Sequence, residues 1–363
     1  MSTETSLSTS ETPPGSSSAG PVRTQRRLPR YAATILFVAG LVLGGLLSAV
    51  TGGFSIALTV VYGVVLGTLA VHLVSRRVEG RRKATDRLVT TVVTSAFAIA
   101  MVPLVSLIYT VLRNGLARLD STFFNSSMLG VVGEGGGAYH AIVGTVIITV
   151  LTTVISVPIG LLTAIYLVEY GRGRLKQAIT FLVDVMTGIP SIVAGLFAFA
   201  LFALFFGPGV RLGIMGAVAL SVLMIPVVVR SAEEVLKLVP NELREASYAL
   251  GVPKWRTVLK VVVPTAIAGL GTGITLAVAR VIGETAPLLV TVGIVTSTNT
   301  NPFNGRMATL PVFSYYQLTQ PGFPPEFGIE RAWTAALVLI ILVMALNVVA
   351  RLISRIFAPK TGR

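Results

Sequence analysis

The chain has 363 residues, of which 53% are hydrophobic and only 12% are Asp, Glu, Lys or Arg. That charged share is about half of the share in a typical soluble domain, which argues against a soluble globule, and the hydrophobicity excludes a disordered chain. The net charge of +14 is typical of nucleic-acid-binding proteins. The high apolar content argues against that class, provided that the basic residues lie at the ends of the apolar runs.

The chain has no cysteine and only two histidines, His72 and His140. It therefore has no disulfide framework and no thiol chemistry. Two histidines do not make a His-rich metal site. We predict neither catalytic residues nor a metal site.

Eight apolar stretches are long enough, or nearly so, to cross a membrane. A membrane helix needs about 20 apolar residues, because roughly 30 Å of hydrocarbon is spanned at about 1.5 Å per residue. The stretches are about 31–50, 54–75, 88–112, 139–168, 178–206, 213–229, 265–293 and 332–350. The three of nearly 30 residues are expected to tilt, kink or extend beyond the membrane. The sequence predicts an all-α, polytopic helical bundle.

The distribution of basic residues predicts the orientation of this bundle. With the N-terminus inside, 23 Lys and Arg lie in cytoplasmic segments and five lie in outside loops, and Arg280 remains within an apolar run. Cytoplasmic loops carry an excess of Lys and Arg. We therefore predict a multi-pass protein of the cell membrane with both termini in the cytoplasm.

Composition divides the chain into five segments. The first is rich in Ser, Thr, Pro and Gly with a basic end, which predicts a disordered cytoplasmic tail. The predicted segments are the basic tail 1–30, a two-helix hairpin 31–75, a basic cytoplasmic linker 76–87, a six-helix core 88–356 and a cytoplasmic tail 357–363.

Asp184 lies less than two turns into the fifth span. A charge at membrane depth costs about 2.5–3.5 kcal/mol on insertion scales. We expect a structural carboxylate that reaches the interface or pairs with Lys176 or Arg87.

Arg280 and Glu284 are four residues apart in the seventh span, a spacing that places both on one helix face. Gly283 permits close approach of another backbone, and Pro287 interrupts the helical hydrogen bonds. One interpretation is an ion pair that fixes helix packing. The other is that Arg280 binds an oxyanion through the parallel donors of its guanidinium. Glu284 would then orient Arg280 or accept a hydrogen bond from a protonated oxygen of the substrate.

A second polar island, Thr187-Gly188-Ile189-Pro190-Ser191, interrupts the fifth span. Freed backbone groups are tolerated where they are buried in protein or line a cavity, and a helix restarting near Pro190 would offer N–H groups to an anion. The alternative is an ordinary proline kink. Two interrupted segments at mid-membrane favour a substrate path that includes Thr187, Ser191, Arg280, Glu284 and Thr285.

The longest cytoplasmic connection, 231–264, contains a short amphipathic helix. Asn241 is its predicted N-cap, and Gly251 followed by Pro253 predicts its end. Such a helix docks into a partner's groove or lies on the membrane surface.

The run Glu245-Ala246-Ser247, three residues, Gly251, nine residues, then Val261-Val262-Val263-Pro264 closely resembles the EAA loop of ABC importer permeases. In that pattern Ala stands where this chain has Ser247, and Ile and Leu stand at the positions of Val261 and Val263. The resemblance implies a type I permease core of six helices. It also implies that Glu245, Ala246, Ser247 and Gly251 belong to a coupling helix that docks on an ATPase.

Two segments, Thr187 to Phe197 and Ala279 to Pro287, resemble the phosphate-specific permeases, the PstA type most closely and the PstC type second. The resemblance covers about 88–356 and implies that Arg280 and Glu284 act in phosphate passage. It leaves out the N-terminal hairpin and the tail.

The partners that this resemblance implies are an ATPase dimer, a second permease of PstC type or a second copy, and an extracytoplasmic phosphate-binding protein. The chain has no Gly-x-x-x-x-Gly-Lys-Ser/Thr loop, so ATP and Mg²⁺ would be bound by the ATPase subunit, and this chain has no cofactor and is not an enzyme. Loops 113–138 and 294–331, with Tyr315, Tyr316 and Phe323, would meet the binding protein. The alternatives are a sulfate or molybdate ABC permease, a secondary transporter and a membrane scaffold.

Overall fold

In a computed structural model of the chain, residues 28–29, 31–52 and 55–357 are described. Within them the regular structure is entirely helical. The helices are α1 (Ala32–Gly52), α2 (Ile56–Val78), α3 (Arg81–Gly115), α4 (Ser121–Asn125), α5 (Tyr139–Ile165), α6 (Gly173–Thr187), α7 (Ser191–Phe206), α8 (Gly213–Lys237), α9 (Asn241–Ala249), α10 (Lys254–Thr257), α11 (Val263–Ile282), α12 (Ala286–Thr291), α13 (Leu310–Thr319) and α14 (Pro325–Phe357). A π-helical turn, Tyr166–Tyr170, extends α5, and another, Val258–Val262, joins α10 to α11.

The apolar helices agree with the predicted bundle. Among the described residues, seven helices are long and apolar enough to cross a membrane, and α6 with α7 supplies an eighth if that pair is one span. The fold class and the number of about eight spans are therefore confirmed. Most of the predicted tail 1–30 and residues 358–363 lie outside the described residues.

Two predicted spans are not continuous helices. The stretch 178–206 is divided between α6 and α7, which are bent by 108°. The stretch 265–293 contains the end of α11 at Ile282 and the separate helix α12. The first break contains Gly188 and Pro190. The second contains Gly283, and Pro287 lies in the first turn of α12, where the missing N–H donor of proline costs no helical hydrogen bond.

The chain divides into two compact units, Met1–Ser106 and Leu107–Arg363, with the division inside α3. This division does not test the predicted boundaries of the hairpin, linker and permease core, which stay a prediction. The linker 76–87 is mostly helical, because α2 continues to Val78 and α3 begins at Arg81.

In the first unit, α1 and α2 pack through two glycine pairs spaced four residues apart. A Cβ atom at Gly40 would lie 2.4 Å from the Cα of Gly67, and one at Gly44 would lie 2.4 Å from the backbone nitrogen of Gly63. Backbones approach this closely only where side chains are absent, as in the Gly-x-x-x-Gly contacts of membrane helices. The Ser48 and Thr59 hydroxyls, 2.9 Å apart, add a hydrogen bond between the two helices.

In the second unit, α8 is the central helix, with Met224 and Val228 fully buried. A Cβ at Gly160 of α5 would lie 2.7 Å from the Cγ1 of Val228, and a Cβ at Gly273 of α11 would lie 2.7 Å from the Ser231 hydroxyl. Small residues on α5 and α11 therefore bring both helices close to α8. The broken segments α6–α7 and α11–α12 pack against this central helix.

Candidate translocation path and coupling surface

The first break in the second unit lies between α6 and α7. Gly188 follows the last turn of α6, and Pro190 has an extended conformation (ψ 137°) directly before Ser191 begins α7. The Thr187 hydroxyl donates to the Val183 carbonyl, 2.9 Å away within its own helix. Thr187 is exposed and Ser191 is half-buried. The backbone N–H groups of Val193 and Ala194 donate to the Pro190 carbonyl, over 2.9 and 3.4 Å, which leaves those of Ser191 and Ile192 without an acceptor inside α7.

The second break separates α11 from α12. Arg280 lies in the last turn of α11, Gly283 follows that turn, and Thr285 directly precedes α12. Because α11 ends at Ile282, Glu284 is not on the helix face of Arg280, and the prediction that both share one face was wrong. Among the described residues, no ion pair involves either the exposed Arg280 or the half-buried Glu284.

The two broken segments are in contact. A Cβ at Gly195 of α7 would lie 2.6 Å from the Cα of Pro287 in α12 and 3.0 Å from its carbonyl oxygen. On the other side of α12, a Cβ at Gly216 of α8 would lie 2.5 Å from the Cγ1 of Val292. Glycines at these positions let α12 lie directly against α7 and α8, so the segment following Arg280 and Glu284 is packed on the helix that begins at Ser191.

Two further arginines, which the sequence analysis did not single out, lie at the far end of α12. A Cβ at Gly293 would lie 3.0 Å from the Arg211 Nη1 and 3.4 Å from the Cδ of Arg306. The segments that carry these residues, 207–212 and 293–309, contain no Asp or Glu. This end of α12 is therefore locally positive, and the absence of acidic residues from both loops was the sequence signal for it.

Asp184 pairs with a residue that the sequence analysis did not consider. Its carboxylate accepts a hydrogen bond from Arg230 of α8, and Arg230 also donates to Glu233 over 2.9 Å. Lys237 lies 2.8 Å from the other oxygen of Glu233. The predicted partners Lys176 and Arg87 were wrong, because Arg87 pairs with Glu79 in the first unit and the packing of α6 on α8 brings Arg230 closer.

The predicted amphipathic helix is α9. Gly251 has a φ of +73°, a conformation suited to glycine after a helix, and Pro253 precedes α10. Asn241 is not the N-cap: Pro240 holds that position and Asn241 is the first helical residue. The α8 helix also extends to Lys237, so much of the predicted loop 231–264 is helical.

The two faces of α9 differ. Ser247 is buried, with its hydroxyl 2.8 Å from that of Thr257, whereas Glu245 and Ala246 are exposed. Leu250 at the end of α9 is 83% exposed. A shallow cavity of about 350 Å³ beside this face is lined by Leu243, Ala246, Ser247, Leu250, Val252, Arg256, Lys260 and Val261. The outward face of α9 is therefore open and combines the apolar side chains of Leu243 and Leu250 with the exposed carboxylate of Glu245.

The predicted contact residues near the C-terminal spans have different surroundings. Phe323 is 86% exposed and Tyr315 is 47% exposed, whereas Tyr316 packs against the core around α8. Their contact with a binding protein stays a prediction. Within residues 28–29, 31–52 and 55–357, no group of three His, Asp or Glu residues is arranged to hold a metal ion.

Together the helical bundle, the two broken segments and the exposed α9 define a polytopic membrane permease. A family model described as "Binding-protein-dependent transport system inner membrane component" matches residues 156–363. A chain of a bacterial alginate ABC transporter, solved in complex with an alginate pentasaccharide-bound periplasmic protein, superposes with a TM-score of 0.53 at 12% identity, covering 77% of this chain and 97% of that one. This likeness supports the ABC importer permease fold.

Curated relatives narrow the family. Phosphate transport system permease protein PstA 1 of Mycobacterium tuberculosis (strain CDC 1551 / Oshkosh) is 48% identical over 276 residues, covering 75% of this chain and 90% of the relative. Phosphate transport system permease protein PstA of Mycobacterium leprae is 46% identical over 280 residues, covering 76% of this chain and 90% of the relative. PstA of Pasteurella multocida is 37% identical over 285 residues, covering 78% of this chain and 97% of the relative. The chain belongs to the PstA family of binding-protein-dependent transport permeases.

Proposed function

We propose that this chain is a permease subunit of an ATP-driven importer of inorganic phosphate and forms half of the translocation path. The observation that carries the proposal is the contact between the two broken segments at Gly195 and Pro287, beside an arginine at the end of α11. Broken helices that meet at a substrate site are typical of membrane transporters. The relatives named above as phosphate transport permeases support phosphate as the substrate.

Arg280 is the proposed phosphate ligand. Its guanidinium offers donors in a planar fork that matches two oxygens of a tetrahedral oxyanion. Because no ion pair among the described residues involves it, no carboxylate competes with the substrate. Glu284, separated from Arg280 by the end of α11, accepts a hydrogen bond from the P–OH group of hydrogenphosphate, which favours that anion over the unprotonated sulfate.

Hydroxyl groups and free backbone donors complete the proposed path. Ser191 begins α7, where its own N–H group and that of Ile192 are suited to an anion. Thr285 lies directly before α12, and Thr187 lies at the end of α6.

The exposed face of α9 is the proposed docking surface for the ATPase. On this proposal the α9 end of the molecule is cytoplasmic, as are both termini, in agreement with the excess of basic residues in those segments. ATP and Mg²⁺ are bound by the ATPase dimer. The second permease, of PstC type or another copy of this chain, supplies the other half of the path, and the extracytoplasmic phosphate-binding protein docks on loops 113–138 and 294–331.

The test is phosphate uptake by the complete complex in proteoliposomes, with sulfate and molybdate as competitors. We expect Arg280→Gln to lower uptake by about ten- to a hundredfold, the effect of losing charged hydrogen bonds. Glu284→Gln is expected to weaken the discrimination between phosphate and sulfate. Wild-type rates and selectivity in both variants would contradict the proposed path.

Arg174→Gln is the matched control. Arg174 is exposed at the start of α6, so this substitution removes the same charge at a distance from both breaks. We expect its uptake to equal that of the unmodified chain. A complex that transports sulfate or molybdate in preference to phosphate would refute the assignment of the substrate.

A further inference from the structure

The end of α5 has an unusual geometry. Its last residues, Tyr166–Tyr170, form a π-helical turn that ends at Gly171. A π turn inserts an extra residue into a helix and often occurs at functional positions. In this turn the Glu169 side chain is directed into the protein, with only 5% of its surface exposed.

Arg244 of α9 is the partner of this buried carboxylate. Its Nη2 and Nε lie 2.9 and 3.0 Å from the Oε1 of Glu169. The same guanidinium donates from Nη1 to the Val239 carbonyl, at 2.6 Å, and from Nη2 to the Leu236 carbonyl, at 3.0 Å. These carbonyls belong to the end of α8 and the turn after it, where a cation is favourable. One side chain therefore joins α9 to the ends of both α5 and α8.

Lys254 makes a second connection to the same turn from the other side of Gly251. Its ammonium group donates to the backbone carbonyl of Glu169 and lies 5.1 Å from the centroid of the Tyr170 ring. We call Glu169, Arg244 and Lys254 the α9 anchor. The anchor therefore contacts the chain on both sides of Gly251.

The α5 helix extends from the anchor to the opposite end of the second unit. The continuous helical segment Tyr139–Tyr170 has 32 residues, which corresponds to about 48 Å at about 1.5 Å per residue. Near its other end the Thr145 hydroxyl accepts a hydrogen bond of 2.8 Å from the backbone N–H of Leu310, at the start of α13. A Cβ at Gly144 would lie 2.0 Å from the Ala308 carbonyl oxygen, so this contact is also tight.

We propose that the α9 anchor is the rigid joint through which movement of α9 is transmitted to α5. The inference rests on the proposed function, in which an ATPase moves α9. Glu169, Arg244 and Lys254 act as positioning residues: they bind neither substrate nor nucleotide. They make α9 and the ends of α5 and α8 one body, so that a displacement of α9 moves the far end of α5 instead of bending the connection.

The first experiment measures phosphate transported per ATP hydrolysed by the complete complex carrying Glu169→Gln. The variant leaves Arg244 without a compensating charge while the docking face of α9 is unchanged. We expect the ATPase to co-purify and to hydrolyse ATP, and the amount of phosphate transported per ATP to fall by about tenfold. A transport ratio equal to that of the unmodified complex would overturn the joint.

Glu234→Gln is the matched control. Glu234 is exposed near the C-terminal end of α8. Its substitution therefore removes an equal charge without changing a residue of the anchor. Its ratio of phosphate to ATP is expected to be unchanged. An equal loss in this control would show a general effect of charge and would also overturn the joint.

A second measurement does not depend on the stability of any anchor variant. The chain has no native cysteine, so spin labels can be attached at Tyr248→Cys in α9 and Leu162→Cys in α5. With the anchor intact, the distance between the labels is expected to stay within about 2 Å between the nucleotide-free and the vanadate-trapped complex, the size of an ordinary helix shift. A larger change would show that α9 moves independently of α5 and would refute the joint.

The two hypotheses fail in different ways. A chain that does not co-purify with an ATPase overturns the proposed function together with the joint. A complex that couples phosphate uptake to ATP hydrolysis equally well with Glu169 and with Glu169→Gln overturns only the joint.

Discussion

Glu79 in the first unit shows how hydrogen bonds overcome the cost of burying a carboxylate. Burial alone raises the pKa of Glu79, but hydrogen bonds from Arg87, the Leu28 backbone N–H and the Ser75 hydroxyl, with the charge of Arg87, lower the pKa from 4.5 to about 2. The Arg87 Nε lies 2.6 Å from the carboxylate. The ionised carboxylate is therefore the form that stabilises the connection between α2 and α3.

This pKa determines a pH dependence of stability. A group whose pKa is lower in the folded state stabilises the protein fully above its unfolded pKa, and that contribution disappears as the pH falls toward the folded pKa. We expect Glu79→Gln to lower the thermal midpoint in detergent at pH 7, and the difference from the unmodified chain to shrink between about pH 4.5 and 2.

Asp86→Asn is the control for this measurement, because Asp86 is exposed on α3. Its thermal midpoint is expected to follow that of the unmodified chain across the pH range. A Glu79→Gln difference that is as large at pH 2.5 as at pH 7 would argue against the lowered pKa.

At the scale of elements, the packing of α7 on α12 depends on the absence of a side chain at Gly195. The nearest atoms to an added Cβ are backbone atoms of Pro287, at 2.6 and 3.0 Å, and backbone does not move aside as a flexible side chain does. We expect Gly195→Ala, which adds only this Cβ, to separate the two broken segments and to abolish phosphate uptake, while the ATPase still co-purifies through α9. Uptake and co-purification are measured on the same preparation.

Gly188→Ala is the matched substitution at the other side of the same break. An added Cβ there would lie 3.6 Å from its nearest neighbour, the Val185 carbonyl oxygen, and the φ of −88° suits any residue. We expect this variant to retain most of its uptake. Equal losses in both variants would show that the effect arises from the break itself and not from the contact with Pro287.

The helix breaks were predictable because their causes are local. Gly188 with Pro190, and Gly283 with Pro287, each combine a flexible backbone position with a residue that lacks an N–H donor within a few residues. Proline alone does not decide the outcome, because Pro158 and Pro226 lie inside the continuous helices α5 and α8. The prediction that Arg280 and Glu284 share one helix face was wrong because it ignored the effect of Gly283. The helix ends before Glu284, so the four-residue spacing does not place the two side chains on one face. The N-cap of α9 was wrong by one residue for a related reason, since Pro240 occupies that position and the Asn241 amide oxygen instead accepts from Arg244, at 3.2 Å.

Partners that are distant in the sequence were not predictable. Asp184 and Arg230 are 46 residues apart, and Glu169 and Arg244 are 75 residues apart. Which residues meet depends on how α6, α5 and α9 pack against α8, and on a π turn at Glu169 that the pattern of apolar residues does not indicate. The eight apolar stretches and the family were predictable because hydropathy and the spacing of the coupling motif are properties of the sequence itself.

At the scale of the whole molecule, charge is distributed unevenly on the proposed outer side. The loops 113–138 and 320–331 contain the acidic residues of that side, whereas 207–212 and 293–309 contain Arg211 and Arg306 and no acid. Both arginines lie around Gly293 at the end of α12, and α12 begins beside Arg280 and Glu284. On the proposed function, a phosphate released by the binding protein therefore first meets the positively charged surface formed by Arg211 and Arg306, at the outer entrance of the path.

If these two arginines attract the phosphate anion, the rate of uptake depends on ionic strength. The screening length falls from about 30 Å at 0.01 M salt to about 8 Å at 0.15 M, so attraction between exposed charges weakens strongly over this range. We expect Arg306→Gln to raise the KM for phosphate at low salt by a few-fold, with kcat unchanged, and to flatten the dependence on salt. The exposed Arg113 carries the same charge but lies at the end of α3, so Arg113→Gln should retain the salt dependence of the unmodified complex. If Arg306→Gln and Arg113→Gln respond identically to salt, the local charge around Gly293 has no part in attracting phosphate, because only the net charge of the complex would then matter.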